Sequence, residues 1–388
     1  MAHVILGADA IHAPLTGIGR YAYELATLLP QCDGVESLRF YSLGQWIGAE
    51  AVRQRAQTVS HQELNKPTLR RTLAANKLAV RAYSVLMPIW SRWRMQQEKT
   101  ALFHSPNYFL PPFPGASVAT IHDLSHIVCP QFHPAARVEL LHRDLPKSIA
   151  RADFLITDAE SVRREVIEQF HWPEDRIRAV PLGVDGSFHP RTAVETASVL
   201  HKHGLTHGGY SLYVGTIEPR KNLARLITAY GQLPNALRMR VPLVIAGSRG
   251  WQADEIHELM KSAADAGWLK YLDFVAQEEL PLLYAGARLF CFPSLYEGFG
   301  LPPLEAMASG VPVLTSATSS LPEVVGDVGM KVQPEDTAEI AECLQRGLED
   351  EAWIEQAKFR GVQRAAAFTW QRCADQTSEI YRQVQALR

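Results

Sequence analysis

The stretch Phe292-Pro-Ser-Leu-Tyr-Glu-Gly-Phe-Gly-Leu-Pro-Pro-Leu-Glu305 sets two carboxylates, Glu297 and Glu305, on either side of a Gly/Pro-rich turn. Upstream, Ala287-Arg-Leu-Phe-Cys-Phe292 is an apolar run of strand length, and Pro293-Ser294 breaks it. Gly298 and Gly300 let the backbone bend sharply and approach a ligand. Pro302 and Pro303 suit a first helical turn, where a missing N–H costs little, so a helix is predicted over Leu301–Ser309. The free N–H groups of that turn and the helix dipole would form an anion site. Glu305, about one turn in, is placed to accept two hydroxyl hydrogen bonds, as from a ribose. Glu297, at the loop tip, is placed to meet a sugar. Gly310-Val-Pro-Val-Leu-Thr315 reads as the turn and the next buried strand. Either glutamate alone is explained by helix-dipole complementarity; the whole string is what points to a site.

Around this junction, short apolar runs alternate with amphipathic stretches, which predicts an α/β protein with parallel sheets. In the first half, strands are expected at His3–Gly7, Leu38–Ser42, Leu102–His104, Ser117–Ile121, Phe154–Thr157 and Ile177–Val180. Helices are expected at Gly19–Leu29, Pro134–Ala150 and Ala159–Phe170. The turn-rich Pro181-Leu-Gly-Val-Asp-Gly-Ser-Phe-His-Pro190 closes that half. A second series begins at Ser211-Leu-Tyr-Val-Gly215 and continues with Val241–Ala246, Leu269–Val275, Leu289–Phe292 and Val311–Thr315. Ala338–Arg388 reads as helices broken near Thr369. Two doubly wound halves would place ligands at the carboxyl ends of their strands.

Other candidate residues fall at such ends. Val214-Gly-Thr-Ile-Glu-Pro-Arg-Lys-Asn222 ends a strand and opens a helix with two adjacent cations. Arg220 offers a planar donor fork and Lys221 a compact charge, which together suit a diphosphate leaving group; a solvated pair at a helix entrance is the plainer reading. Gly17-Ile-Gly19 follows the first strand and is either a tight turn or a backbone that approaches a phosphate or acceptor. His122 and Asp123 follow another strand; His122 either touches the sugar or is a satisfied structural histidine. Gly247 fits a wall close to a nucleobase, and Val275–Leu280 offers backbone groups to the base edge, although ordinary loops account for both nearly as well.

The composition is that of a globular protein: 388 residues, 47% hydrophobic and 21% charged, enough for two or three domains. A net charge of −2 gives no reason to expect nucleic acid. Five scattered cysteines show neither metal spacing nor a disulfide framework, which fits a reducing compartment. No secretory leader and no run of about 18 apolar residues is seen. Residues 66–99 are locally basic and interleaved with Trp90, Trp93 and aliphatic side chains, a pattern expected either on an anionic membrane surface or in a helix pair packed on the first domain.

Glu297 and Glu305 with seven residues between them resemble the E-x7-E motif of retaining GT-B glycosyltransferases of the GT4 family. The resemblance extends over nearly the whole chain and is strongest from Tyr213 to Leu321. It implies two Rossmann-like domains facing across a cleft, at 1–190 and 205–368, with 369–388 as a helix returning to the first. It implies that Arg220 and Lys221 bind the diphosphate, Glu305 the ribose and Glu297 the donor sugar, with Gly17, Gly19 and Gly247 around the donor. Ser294, Gly298, Phe299, Gly300 and Leu301 are the accompanying donor-binding positions, and His122 matches the active-site histidine.

The same resemblance implies no metal cofactor, and no Asp-x-Asp motif stands in a plausible loop. It implies front-face displacement in which the leaving phosphate takes the acceptor proton. Leu15-Thr-Gly-Ile-Gly-Arg-Tyr21 and Gly215-Thr-Ile-Glu-Pro-Arg-Lys-Asn222 are similar to bacterial mannosyltransferases of O-antigen and related polysaccharides. These imply GDP-mannose as donor, an undecaprenyl-diphosphate-linked glycan as acceptor, and work at the cytoplasmic face of the inner membrane. Guanine and uracil are not distinguished by the residues, so a UDP-sugar donor is the alternative. A dinucleotide oxidoreductase would also be doubly wound, but the glycine fingerprint is incomplete, since residue 22 is Ala. A non-catalytic sugar-nucleotide-binding or scaffold subunit of a polysaccharide assembly complex is the third reading.

Overall fold

A computed structural model of the chain describes residues 1–57, 90–91 and 93–386. Most of the basic stretch 66–99 therefore lies outside the described residues.

The strands sort into two sheets. The first has the order β3-β2-β1-β4-β5-β6-β7, and the second β10-β9-β8-β11-β12-β13. The first comprises β1 (Ala2–Gly7), β2 (Val35–Ser42), β3 (Gln45–Ile47), β4 (Leu102–Ser105), β5 (Ala116–Ile121), β6 (Phe154–Thr157) and β7 (Ile177–Ala179). The second comprises β8 (Ser211–Val214), β9 (Leu243–Ala246), β10 (Leu269–Tyr271), β11 (Leu289–Phe292), β12 (Val313–Ser316) and β13 (Met330–Val332). Among the described residues only β2–β3 pairs antiparallel, and the other ladders are parallel. Parallel strands need crossovers, and the crossover helices cover both faces. That is why the strands at the heart of each sheet, such as β5 and β11, are buried along their whole length. Leu6, Val118 and Leu155 centre one core, and Leu212, Ile245 and Phe290 the other.

In each sheet the strand order reverses beside the first strand: β1 lies between β2 and β4, and β8 between β9 and β11. The loops leaving opposite sides of such a switch point diverge and leave a crevice. Gly17 follows β1, Arg220 and Lys221 follow β8, and Glu297 follows β11, so the topology delivers these residues to the crevices.

The helix Trp370–Ala386 crosses back to the first sheet. It packs against the helix Gly17–Leu28 and against β1 and β5. Tyr381 meets the buried His104 of β4 through its hydroxyl, 2.6 Å from Nδ1, and His104 Nε2 lies 2.8 Å from Thr120 Oγ1. The two chain crossings between the lobes run side by side: Val184 bridges Thr369, and its N–H donates to the Phe368 carbonyl at 3.1 Å. Two Rossmann-like lobes facing across a cleft, with a terminal helix crossing back, make this a GT-B fold.

Several expected boundaries moved. β3 and β13, three residues each, are additional to the expected strands. The strand expected over Leu269–Val275 ends at Tyr271, because Asp273 turns the chain at φ 51°. The cations at 220 and 221 do not open a helix. Pro219–Lys221 forms a single 3-10 turn, Asn222 turns left-handed at φ 61°, and the helix Leu223–Gly231 starts after it. No helix among the described residues is long and apolar enough to cross a membrane.

Candidate active site

The site is built where the β8 and β11 loops meet. Leu295 N–H donates to the Arg220 carbonyl at 2.9 Å, which ties the two loops together. Lys221 Nζ then reaches Glu297 Oε1 at 2.7 Å, and Arg220 donates to Glu297 Oε2 at 3.1 Å. The same guanidinium donates to the Tyr296 carbonyl at 2.6 Å and, through its other terminal nitrogen, to Glu218 at 2.7 Å. Glu218 is buried, and burial raises its carboxyl. Burial also acts to raise Glu297, but the charges of Lys221 and Arg220 overcome it and hold the carboxyl below its ordinary value. Lys221 sits 5.0 Å above the Phe292 ring, which fixes the height of its charge over the end of β11.

The turn between the two motif glutamates is pinned from behind by the loop after β12. Ser319 Oγ accepts the Glu297 N–H at 3.0 Å, and Ser320 Oγ donates to the carbonyls of Glu297 and Phe299 at 2.9 and 2.7 Å. Ser316 donates to the Ser294 carbonyl at 2.5 Å. The Phe299 ring is buried against Phe368, so this position offers a ligand only its backbone. Gly300 caps the helix Leu301–Ala308 at φ 120°, a conformation that favours glycine. The first turn is poorer in donors than expected: Pro302 and Pro303 have no N–H, and Leu304 N–H returns to the Gly300 carbonyl, leaving that of Leu301. Positive charge at this junction thus comes from the side-chain cations more than from the helix end.

The first lobe closes over this turn. A Cβ on Gly298 would stand 2.0 Å from the His122 carbonyl oxygen, so only glycine permits the approach. Gly17 faces Leu301, whose Cδ1 would lie 3.6 Å from a Cβ there; Gly19 lies in the first helical turn and donates its N–H to Thr16 Oγ1 at 3.1 Å. Glu305 is half-buried over Tyr284 and in the field of Arg20 and Asp185; burial raises its carboxyl to about 7. Tyr296 donates to Glu165 at 2.5 Å and accepts the Leu124 N–H at 3.1 Å. Glu323 accepts the N–H groups of Glu160 and Ser161 at 2.8 and 2.6 Å, capping a helix of the opposite lobe. Trp251 donates its indole N–H to the Phe132 carbonyl. Beside Tyr296 the lobes leave a cavity of about 700 Å³, lined by Gln131, Phe132, Thr318, Gln333 and Glu335 among others, with no lysine or arginine in its wall.

Three further expected positions are engaged within the protein itself. His122 has no ring nitrogen free for a substrate: Nδ1 is 2.7 Å from Asp158 Oδ2 and Nε2 is 3.0 Å from the Pro106 carbonyl. Burial opposes its protonation, but Asp158 and that carbonyl outweigh it, and the imidazole is held above its ordinary pKa. Gly247 is explained by packing, since a Cβ would lie 1.9 Å from the Gly215 carbonyl oxygen. In the Val275–Leu280 loop, Glu279 turns away to Lys202 at 2.6 Å and His203 at 3.1 Å. Among the described residues no group of three or more His, Cys, Asp or Glu side chains could hold a metal ion. Glu218, Asp158, Tyr296 and the Ser316–Ser320 loop escaped the sequence reading; only the serine-rich composition of the last offered a signal.

Residues 202–364 match the glycosyl transferases group 1 family. The chain is 39% identical over 379 residues to the O-antigen chain mannosyltransferase B of Escherichia coli, covering 98% of this chain and 99% of that one. It is 35% identical over 226 residues to the serotype-specific mannosyltransferase WbdA of Escherichia coli, covering 57% of this chain and 27% of the relative. Sucrose-phosphate synthase from Thermosynechococcus elongatus shares the fold, with a TM-score of 0.72 at 22% identity over 100% of both chains. A paired-cation and glutamate site in the cleft of a GT-B fold, with a full-length relative at this identity, shows that the chain belongs to the glycosyl transferases group 1 family.

Proposed function

We propose that this chain moves a hexose, namely mannose from GDP-mannose, with retention of anomeric configuration onto a lipid-linked glycan of O-antigen or surface polysaccharide. The observation that carries the reading is the meeting of Lys221, Arg220 and Glu297 at the ends of β8 and β11, with the Gly17 turn of the other lobe facing Leu301. Lys221 and Arg220 neutralise the diphosphate as it leaves, Glu305 takes the ribose hydroxyls, and Glu297 takes hydroxyls of the sugar. The acceptor oxygen bonds to the anomeric carbon on the face from which the diphosphate departs, and the departing phosphate oxygen takes the acceptor's proton. No side chain then needs to be a strong base. His122, its ring held by Asp158 and Pro106, shapes the wall that Gly298 touches. The cation-free cavity beside Tyr296 suits an uncharged polyhydroxyl chain better than a nucleotide. Mannose is supported by the two mannosyltransferase relatives.

For the membrane, exposed Trp90 and Trp93 pack 5.4 Å apart with Arg94 over Trp90, a surface suited to an anionic lipid interface. Sedimentation with anionic vesicles tests that role. The donor is tested by thermal shift with GDP, UDP, ADP and their sugars in EDTA. Selective stabilisation by GDP and GDP-mannose supports the reading. Preference for UDP replaces the donor. No response from any nucleotide overturns the donor site and favours a non-catalytic scaffold subunit.

A further inference from the structure

We infer that Glu297 makes the diphosphate site select the sugar-bearing donor over the free nucleoside diphosphate, by occupying the cations itself whenever no sugar is present. The inference rests on the diphosphate reading of Lys221 and Arg220 above.

The local charges already balance without a ligand. Lys221 and Arg220 face Glu297 and Glu218 at 2.7 to 3.1 Å, two cations against two carboxylates. Asp123 adds a further negative charge near Arg220. The terminal nitrogens of Arg220 already bond Glu218, Glu297 and the Tyr296 carbonyl, and its buried Nε has no partner among the described residues. A diphosphate entering this site therefore meets no net attraction until it takes Lys221 from Glu297.

Glu297 is buried, so a displaced carboxylate cannot simply turn to water, and a buried charge without partners is costly. It needs new hydrogen-bond donors within reach. A donor sugar next to the diphosphate brings them as hydroxyl groups, whereas a free nucleoside diphosphate, with its ribose hydroxyls directed to Glu305, brings none to that end of the diphosphate. The exchange is thus favourable for the sugar nucleotide and unfavourable for the product of transfer. Once the sugar has left, Glu297 returns to Lys221 and Arg220 and displaces the nucleoside diphosphate. One carboxylate would link recognition of the sugar to retention of the diphosphate, and loss of the sugar to product release.

The test is calorimetric titration of GDP, GDP-mannose, UDP and UDP-glucose into the wild type, Glu297→Gln and Glu297→Asp. In Glu297→Gln the nucleoside diphosphate should bind at least about tenfold more tightly, since a charge-assisted competitor is gone. The sugar nucleotide should gain nothing, so the wild type's preference for it collapses. Glu297→Asp, which keeps the charge but shortens the reach by one methylene, should move the nucleoside diphosphate the same way and covers the case in which the glutamine variant does not fold. If wild type binds nucleotides but neither variant tightens the diphosphate, the inference is wrong and the diphosphate site stands. If wild type and variants bind no nucleotide at all, both fall together.

Discussion

The Tyr296 hydroxyl reaches across the cleft to the Glu165 carboxylate at 2.5 Å, while the next residue in the chain is the glutamate that holds both cations. One side chain thus registers the first lobe, and its neighbour registers the charge of the site. Tyr296→Phe removes the link and leaves Glu165 without that donor. The loss of such a bond costs about 1–3 kcal/mol. Urea unfolding should show that decrease, and kcat should fall while the donor KM holds, because Arg220 still grips the Tyr296 carbonyl. Unchanged stability and kcat would mean that the link is idle.

Lys221→Ala should depress transfer far more than stability. Removing one preorganised group opposite developing charge costs about 10²–10³-fold in rate. Glu297 keeps Arg220 as a partner, so the folded state loses one contact of a network and not the whole. Steady-state kinetics beside a melting curve makes the comparison. Wild-type turnover would remove Lys221 from the diphosphate.

Glu305 carries a pH signature. Burial lifts its carboxyl from 4.5 to about 7, with Tyr284 and Arg20 opposing. Between those two values the folded protein holds a proton that the unfolded chain has released, so this group's contribution to stability falls as pH rises through the window. Glu305→Gln deletes that dependence. The melting temperature of the variant minus that of wild type should climb from about pH 4.5 to about 7 and level off above. A difference flat across the window would show that the carboxyl is not raised.

Asp158→Asn should lower the pKa of His122. The buried imidazole is held above its ordinary value by the carboxylate at 2.7 Å, with help from the Pro106 carbonyl. With a neutral amide in its place, desolvation dominates and favours the uncharged ring. Titration of the ring proton by NMR gives the answer; an unmoved midpoint would mean that Asp158 is not the cause.

The strand-to-helix junction from Phe292 to Glu305 was legible because its signals are local: an apolar run, a Pro-Ser break, two glycines and two prolines. The parallel sheets were legible for the same reason, since strands buried on both faces read as apolar runs. What was not legible is long in sequence and short in space. Lys221 and Glu297 are 76 residues apart, and His122 and Asp158 are 36 apart. No periodicity records such pairs. The sequence shows two cations and two glutamates where a ligand is expected; it does not show that these groups have already found each other. Arg220 and Lys221 were placed at a helix entrance, whereas Asn222, a residue type that tolerates the left-handed turn, delays the helix to Leu223.

The return of Trp370–Ala386 to the first sheet bears on how the chain is made. Ala374, Ile380, Tyr381 and Val384 are buried on a helix that packs against a lobe whose seven strands are all laid down by Ala179. A nascent chain emerging in order leaves the first lobe with an open apolar groove, and with His104 awaiting Tyr381, until the last helix is synthesised. The second lobe, contiguous from Ser211 to Val332 in its sheet, has all of its strands before then. Birth order and completion order are therefore inverted: the lobe begun first is finished last, and through that interval its groove is the surface most in need of protection from aggregation.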